Sequence, residues 1–210
     1  MVSALLDSVI RDWATARSVA RGLPVPVADH GGWRVDTRSP GEECRYFFAA
    51  PVPGLAALAA TIDRPRVFIK LCDTREVLAR LVPAGWVFEV DTWVMEGAPI
   101  ARGGLAPGYR VDRTQEGERV EVRIVADDGT FAASGYGGRA SGVFAYDRIV
   151  TDDRHRRLGL GRAVMALLGE AASPGDRHVL VATAMGRALY ESIGWCVRSD
   201  YTTAFIPEPG

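Results

Sequence analysis

The sequence predicts an α/β fold. Alternating or continuous apolar runs suited to strands take turns with stretches whose apolar residues recur at helical spacing. A length of 210 residues with 48% hydrophobic content provides for one large domain or two small fused ones. Between an apolar run ending at Val150 and a helix-like segment beginning near Leu160 stands a basic turn with two glycines, Arg156-Arg157-Leu158-Gly159-Leu160-Gly161-Arg162.

From the N-terminus, Ser3 to Ala20 sets Leu6, Val9, Ile10, Trp13 and Ala20 near one helical face, and Gly22 and Pro24 end it. Gly32 to Asp36 and Arg45 to Ala49 are expected as strands around a Ser39-Pro40-Gly41 turn. Pro51-Val52-Pro53-Gly54 opens a short helix from Leu55 to Ile62, and Val67 to Leu71 is a strand. Thr74 caps a helix through Leu81 that Pro83 and Gly85 end. Val87 to Met95 is expected as one strand, with Glu89 and Asp91 on one face.

Residues 97–107 are rich in glycine and proline and have no hydrophobic period. They are expected to link a first half, 1–96, to a second, 108–210. In the second half Val120, Val122 and Ile124 alternate with Glu121 and Arg123, and Asp128-Gly129 signals a hairpin into Phe131 to Tyr136. Val143 to Val150 is the strand that feeds the glycine turn. Leu160, Val164, Leu167, Leu168 and Ala171 make the next helix face. His178 to Ala182 suits an inner strand, Met185, Leu189 and Ile193 line a helix that Gly194 closes, and Tyr201 to Ile206 is the final strand. Gly32-Trp33-Arg34-Val35-Asp36 matches Gly108-Tyr109-Arg110-Val111-Asp112, and Gly85-Trp86 matches Gly194-Trp195. A diverged tandem repeat accounts for both matches, as does chance.

A net charge of −1 gives no bulk attraction to nucleic acid or to a membrane, so neither is expected as a partner. The three cysteines are widely spaced and the three histidines show no ligand spacing. Reduced thiols in a cytoplasmic setting and no metal site are the expectation. The apolar residues near the N-terminus are interrupted by Asp7, Arg11 and Asp12, unlike a secretory core.

The amides that open a helix lack partners within it and carry partial positive charge, so they suit a phosphate or pyrophosphate. Glycines let that backbone approach the anion closely. A P-loop needs Gly-Lys-Ser/Thr, whereas this chain has Gly161-Arg162-Ala163. A dinucleotide fingerprint needs a third glycine where Val164 stands.

The pattern Arg-x-x-Gly-x-Gly at Arg156, Gly159 and Gly161, followed by Ala188-Leu189-Tyr190-Glu191-Ser192-Ile193-Gly194-Trp195, resembles the GCN5-related N-acetyltransferases over residues 118–207. That family's core has the same order of strand, glycine loop, helix, strand, helix, Gly-aromatic and strand. The resemblance implies a mixed, mostly antiparallel twisted sheet flanked by helices, with acetyl-CoA as co-substrate. It implies that Arg156, Arg157, Leu158, Gly159, Leu160, Gly161 and Arg162 hold the CoA pyrophosphate. Val150 and Thr151 would pair with the pantetheine arm, and Thr183 stands where an asparagine touching that arm is common. Tyr190 would protonate the departing thiolate.

Arg157 replaces a usual glycine of the family. The two helices that normally follow its first strand have no room between Val111 and Val120, so the first half is expected to supply the acceptor wall. Asp147 and the Glu89/Asp91 pair are the candidates for a general base. The expected reaction is acyl transfer from acyl-CoA to an amine of a small molecule or peptide, with a homodimer left open. The alternative is a non-catalytic acyl-CoA-binding or regulatory module.

Overall fold

A computed structural model describes residues 2–101 and 104–208, with side chains from residue 8 onward. Residues 102 and 103 of the expected linker, and the side chain of Leu6, lie outside the described residues. The chain forms helices α1 (Val2–Arg21), α2 (Pro53–Thr61), α3 (Arg75–Ala79), α4 (Leu160–Gly169) and α5 (Ala184–Ser192). Its strands are β1 (Val27–Asp29), β2 (Gly32–Ser39), β3 (Glu42–Phe48), β4 (Val67–Leu71), β5 (Val87–Phe88) and β6 (Thr92–Gly97). Beyond residue 103 come β7 (Tyr109–Glu116), β8 (Arg119–Ala126), β9 (Phe131–Ala140), β10 (Val143–Thr151), β11 (Arg177–Thr183) and β12 (Cys196–Phe205).

Eleven of these strands form one continuous path, β1-β2-β3-β4-β12-β6-β11-β10-β9-β8-β7, and β5 pairs with β12 off it. Among the described residues only β3/β4 and β10/β11 are parallel. The sheet is therefore mixed and mostly antiparallel, and it crosses the expected linker without a break. Strand β6, from before residue 103, lies between β11 and β12. In return β12 supplies the antiparallel neighbour of β4.

Three apolar clusters fix this arrangement. Leu160, Val164, Met165 and Leu168 of α4 bury themselves over β8, β9 and β10. Each such side chain contributes about 1.5–3 kcal/mol relative to exposure. On the opposite face α1 lays Ile10, Trp13, Ala14 and Ala16 against Phe47, Val94, Val143, Ala145, Val179 and Tyr201. Its small residues come so near the sheet that a Cβ on Gly138 of β9 would collide with the Ala16 carbonyl. The third cluster packs α2 and α3 on β3 and β4 through Leu55, Leu58, Leu78, Ile69 and Trp86.

Two expectations are corrected here. Val87 to Met95 is not one strand, because residues 89–91 leave the ladder. Glu89 turns to Lys70 and Asp91 to Arg75, so the two carboxylates have separate partners. Met185 does not join a core stripe either, being 64% exposed, while Leu189 and Ile193 pack on the core. It sits in the first turn of α5, at the open end of the helix. As expected, no helices separate β7 from β8, which form a hairpin. Helix α1 covers β9 and β10 instead.

Candidate functional site

A cleft of about 710 Å³ opens between β10 and β11. Its cause is local. The two strands pair only from Val143/Arg177 to Ala145/Val179, although β10 continues to Thr151 and β11 to Thr183. Beyond Ala145, β10 stays with β9, and its register shifts between Asp147 and Val150. Arg148 lies in that irregularity at φ 50°, a left-handed conformation that strains a residue with a Cβ. The bulge bends β10 away from β11 and leaves the Val150–Thr151 backbone edge facing the gap. Val150 is correspondingly half exposed.

One end of the cleft is the basic turn. Asp152 accepts from the Arg154 amide at 3.0 Å and starts a single 3₁₀ turn over Asp153–His155. Tyr109 Oη and His155 Nδ1, 2.9 Å apart, fasten that turn to β7. Arg157 at φ 62° and Gly159 at φ 75° then reverse the chain into α4. The first pairing along the new helix is from the Ala163 amide to the Gly159 carbonyl, at 3.0 Å. The amides of Leu160, Gly161 and Arg162 before it are free by helical geometry and open on the cleft. Gly161 matters for space, since a Cβ there would lie 3.2 Å from Leu189 Cδ2 and 3.5 Å from Thr151 Oγ1.

The charge of this end is less than the arginine count suggests. Arg156 pairs with Asp153 at 2.6 Å and Arg154 with Asp152 at 3.0 Å. Among the described residues Arg157 and Arg162 have no carboxylate partner, so they remain available to an anion.

Every residue expected to touch CoA lines this cleft except Leu158, which is exposed outside it, and Tyr190 and Asp147 line it too. Thr183 is the N-cap of α5, its hydroxyl accepting from the Gly186 amide at 3.4 Å. Tyr190 is 6% exposed and packs 6.1 Å from the Trp195 ring, so α5 buries it at the cleft wall. Burial raises its phenol to about 12 and keeps it protonated at neutral pH.

Asp147 has a different place from the one expected of a base. Arg17 holds it at 3.1 Å, and Arg21 clamps it through Nε and, at 3.0 Å, Nη2. Burial pushes its carboxyl up, but Arg17 and Arg21 outweigh burial, and the group ends below the ordinary carboxylate range. With its lone pairs committed to two guanidinium groups, it is a poor proton acceptor.

The sequence did not single out Arg17 and Arg21 as site residues. Their i,i+4 spacing, which puts two cations on one face of an otherwise apolar helix, was the available signal. Nothing in the sequence marks the bulge at Arg148.

No protein-family model matches this chain, and no curated protein matches it. Solved structures do. A GCN5-related N-acetyltransferase from Kribbella flavida superposes with a TM-score of 0.67 over 99% of this chain and 96% of its own, at 15% identity. Another, from Sphaerobacter thermophilus, gives 0.56 over 100% and 95%, at 13% identity. A tandem GNAT protein from the clavulanic acid biosynthesis pathway, solved without AcCoA, gives 0.54 over 85% and 80%, at 12% identity. At such identities the agreement is one of fold, and this chain has the fold of the GCN5-related N-acetyltransferases.

Proposed function

We propose that this chain is an acyl-CoA-dependent N-acyltransferase that moves an acetyl or similar group to an amine. The observation that carries the proposal is the parting of β10 from β11 beside the open N-terminus of α4. An extended arm with an amide backbone can add to the freed edge at Val150 and Thr151, as a further strand would. Its pyrophosphate then meets the amides of residues 160–162 with Arg157 and Arg162 alongside. These residues fit an acyl-CoA, whose role would be to supply the activated thioester.

Direct transfer needs the acceptor amine to lose a proton and its nitrogen to attack the thioester carbon. The C–N bond forms, the C–S bond breaks and the thiolate takes up a proton. Holding both partners in the cleft supplies much of the acceleration. Tyr190, on the cleft wall, would give that proton. A phenol near 12 is a weak acid toward a thiol of ordinary pKa ~8.5, but a thiolate released into the same buried cleft is made more basic by the same loss of solvent. The amine's proton leaves to solvent through the cleft mouth rather than to Asp147.

Calorimetric titration of acetyl-CoA, followed by thiol release with an amine panel, tests the proposal. Saturable binding with amine-dependent release supports it. Binding without release for any amine favours the non-catalytic module, and no binding rejects both.

A further inference from the structure

On the face of the sheet that α1 covers, charged residues from separate strands stand together, one of them at the cleft. Arg17 and Arg21 reach across to Asp147, which lines it. Arg45 of β3 is 5% exposed and is paired with Glu42. Lys70 of β4 is 8% exposed, donates to Thr203 Oγ1 at 3.1 Å, and has only a long ion pair to Glu89, 3.9 Å. These cations feel one another: Arg17 and Arg21 act on Arg45, and Arg45 and Arg17 act on Lys70.

Tyr201 of β12 stands among them. Trp13 holds its ring edge-on at 5.7 Å, so the hydroxyl is fixed in direction. The charges of Arg17, Arg45 and Glu42 reach that hydroxyl. It is fully buried, yet among the described residues it has no hydrogen-bond partner. A buried hydroxyl left unpaired is costly, and so is bringing several desolvated cations together. One ligand relieves both costs, an anion that accepts from Tyr201 and sits among the cations. Arg17, Arg21 and Arg45 match Asp147, Glu42 and Glu89 in charge, and Lys70, which burial lowers to about 7, is the cation left over, so these groups hold at most one net positive charge. A monoanionic carboxylate matches that balance, and a phosphate dianion does not.

We infer that this cluster receives the carboxylate of the acceptor, so that the acceptor is an amine that also bears a carboxylate, as a free amino acid does. Its amine would then point toward the gap between β10 and β11, where the thioester arrives from the α4 side. The inference rests on the acyltransferase reading above and narrows it to one substrate class.

The test compares a panel of free amino acids with the corresponding amino acid amides. Acetyl-CoA binding is measured separately by calorimetry. The acids should exceed their amides at least about tenfold in kcat/KM. Tyr201→Phe, which keeps the ring and its packing, should raise KM for the acids roughly tenfold, as one charge-assisted hydrogen bond would require. It should leave KM for the amides and the Kd for acetyl-CoA unchanged. Arg45→Gln should do the same if it folds. Amides used as well as acids, or a Tyr201→Phe protein indifferent to the carboxylate, overturns the inference. If acetyl-CoA itself does not bind, the acyltransferase reading has failed, and calorimetry of the free amino acids and their N-acetyl derivatives decides the cluster alone. Saturable binding lost in Tyr201→Phe then supports a carboxylate site, and no binding overturns it.

Discussion

The β3–α2–β4 and β10–α4–β11 regions follow the same chain order, and only one of them is open. Both put a helix between parallel strands, and in both helices the second residue is a glycine, Gly54 in α2 and Gly161 in α4. In the first region β3 and β4 pair without a gap from Cys44/Val67 to Phe48/Leu71. Leu55, Ile69 and Trp86 pack the space beside them. The start of α2 is Pro53, which has no amide to offer, and the His30 carbonyl lies against Gly54. In the second region the ladder stops after three pairs, and the helix start is left to the cleft. A helix start open to a cleft is therefore not a property of a strand–helix junction alone. It requires that the ladder break and that nothing of the chain itself cover the first amides.

The α1 face shows the same contrast. Phe47 follows Tyr46 on β3 and packs edge-on against Trp13 at 5.8 Å. Asp147 follows Tyr146 on β10 and pairs with Arg17 and Arg21. The closed region continues the apolar core where the open one brings charge to the cleft.

Four substitutions break or sharpen this comparison. The largest effect is expected from Tyr190→Phe, which should lower turnover by roughly 10²–10⁴-fold, the span for lost acid catalysis, with acetyl-CoA affinity unchanged. Four residues before Gly85-Trp86 the first region has Leu81, just as Tyr190 precedes Gly194-Trp195. Turnover within a few-fold of wild type would remove Tyr190 from the chemistry.

Asp147→Asn should cost about 3 kcal/mol at pH 7, since two buried guanidinium groups lose their counter-charge. The folded carboxyl lies below its unfolded value of ~3.9, so its contribution is present above that pH and lost as pH falls through the folded value. Denaturant unfolding at pH 7 and below pH 4 checks the sign: the gap between variant and wild type must shrink in acid. A gap independent of pH would mean that packing, not charge, holds the site.

Gly161→Asp sets a carboxylate beside the proposed pyrophosphate position and should weaken acetyl-CoA binding by about 10²-fold or more, with the thermal unfolding curve little changed. Undiminished affinity in the folded variant would move the CoA site elsewhere. Gly54→Ala touches no ligand. It should cost ~1–3 kcal/mol of stability, because the added Cβ enters the His30 backbone, and leave acetyl-CoA affinity intact. A smaller loss from Gly54→Ala than from Gly161→Ala would reverse the assignment of closed and open regions.

The sequence by itself determined most of the elements and the make-up of one turn. Helical periodicity placed α1 and α4 to within one or two residues, and alternation placed β8. Two glycines among arginines marked the start of α4, because backbone freedom and charge are local properties. The tertiary structure alone decided the rest. The bulge at Arg148 depends on the register with β9, and the exchange of β6 and β12 depends on which edges meet. The fate of Asp147 depends on a helix 126 residues away in sequence. A carboxylate on a strand has the same sequence signature whether water or two guanidinium groups surround it. Only the long-range packing of α1 makes it a structural ion rather than a base.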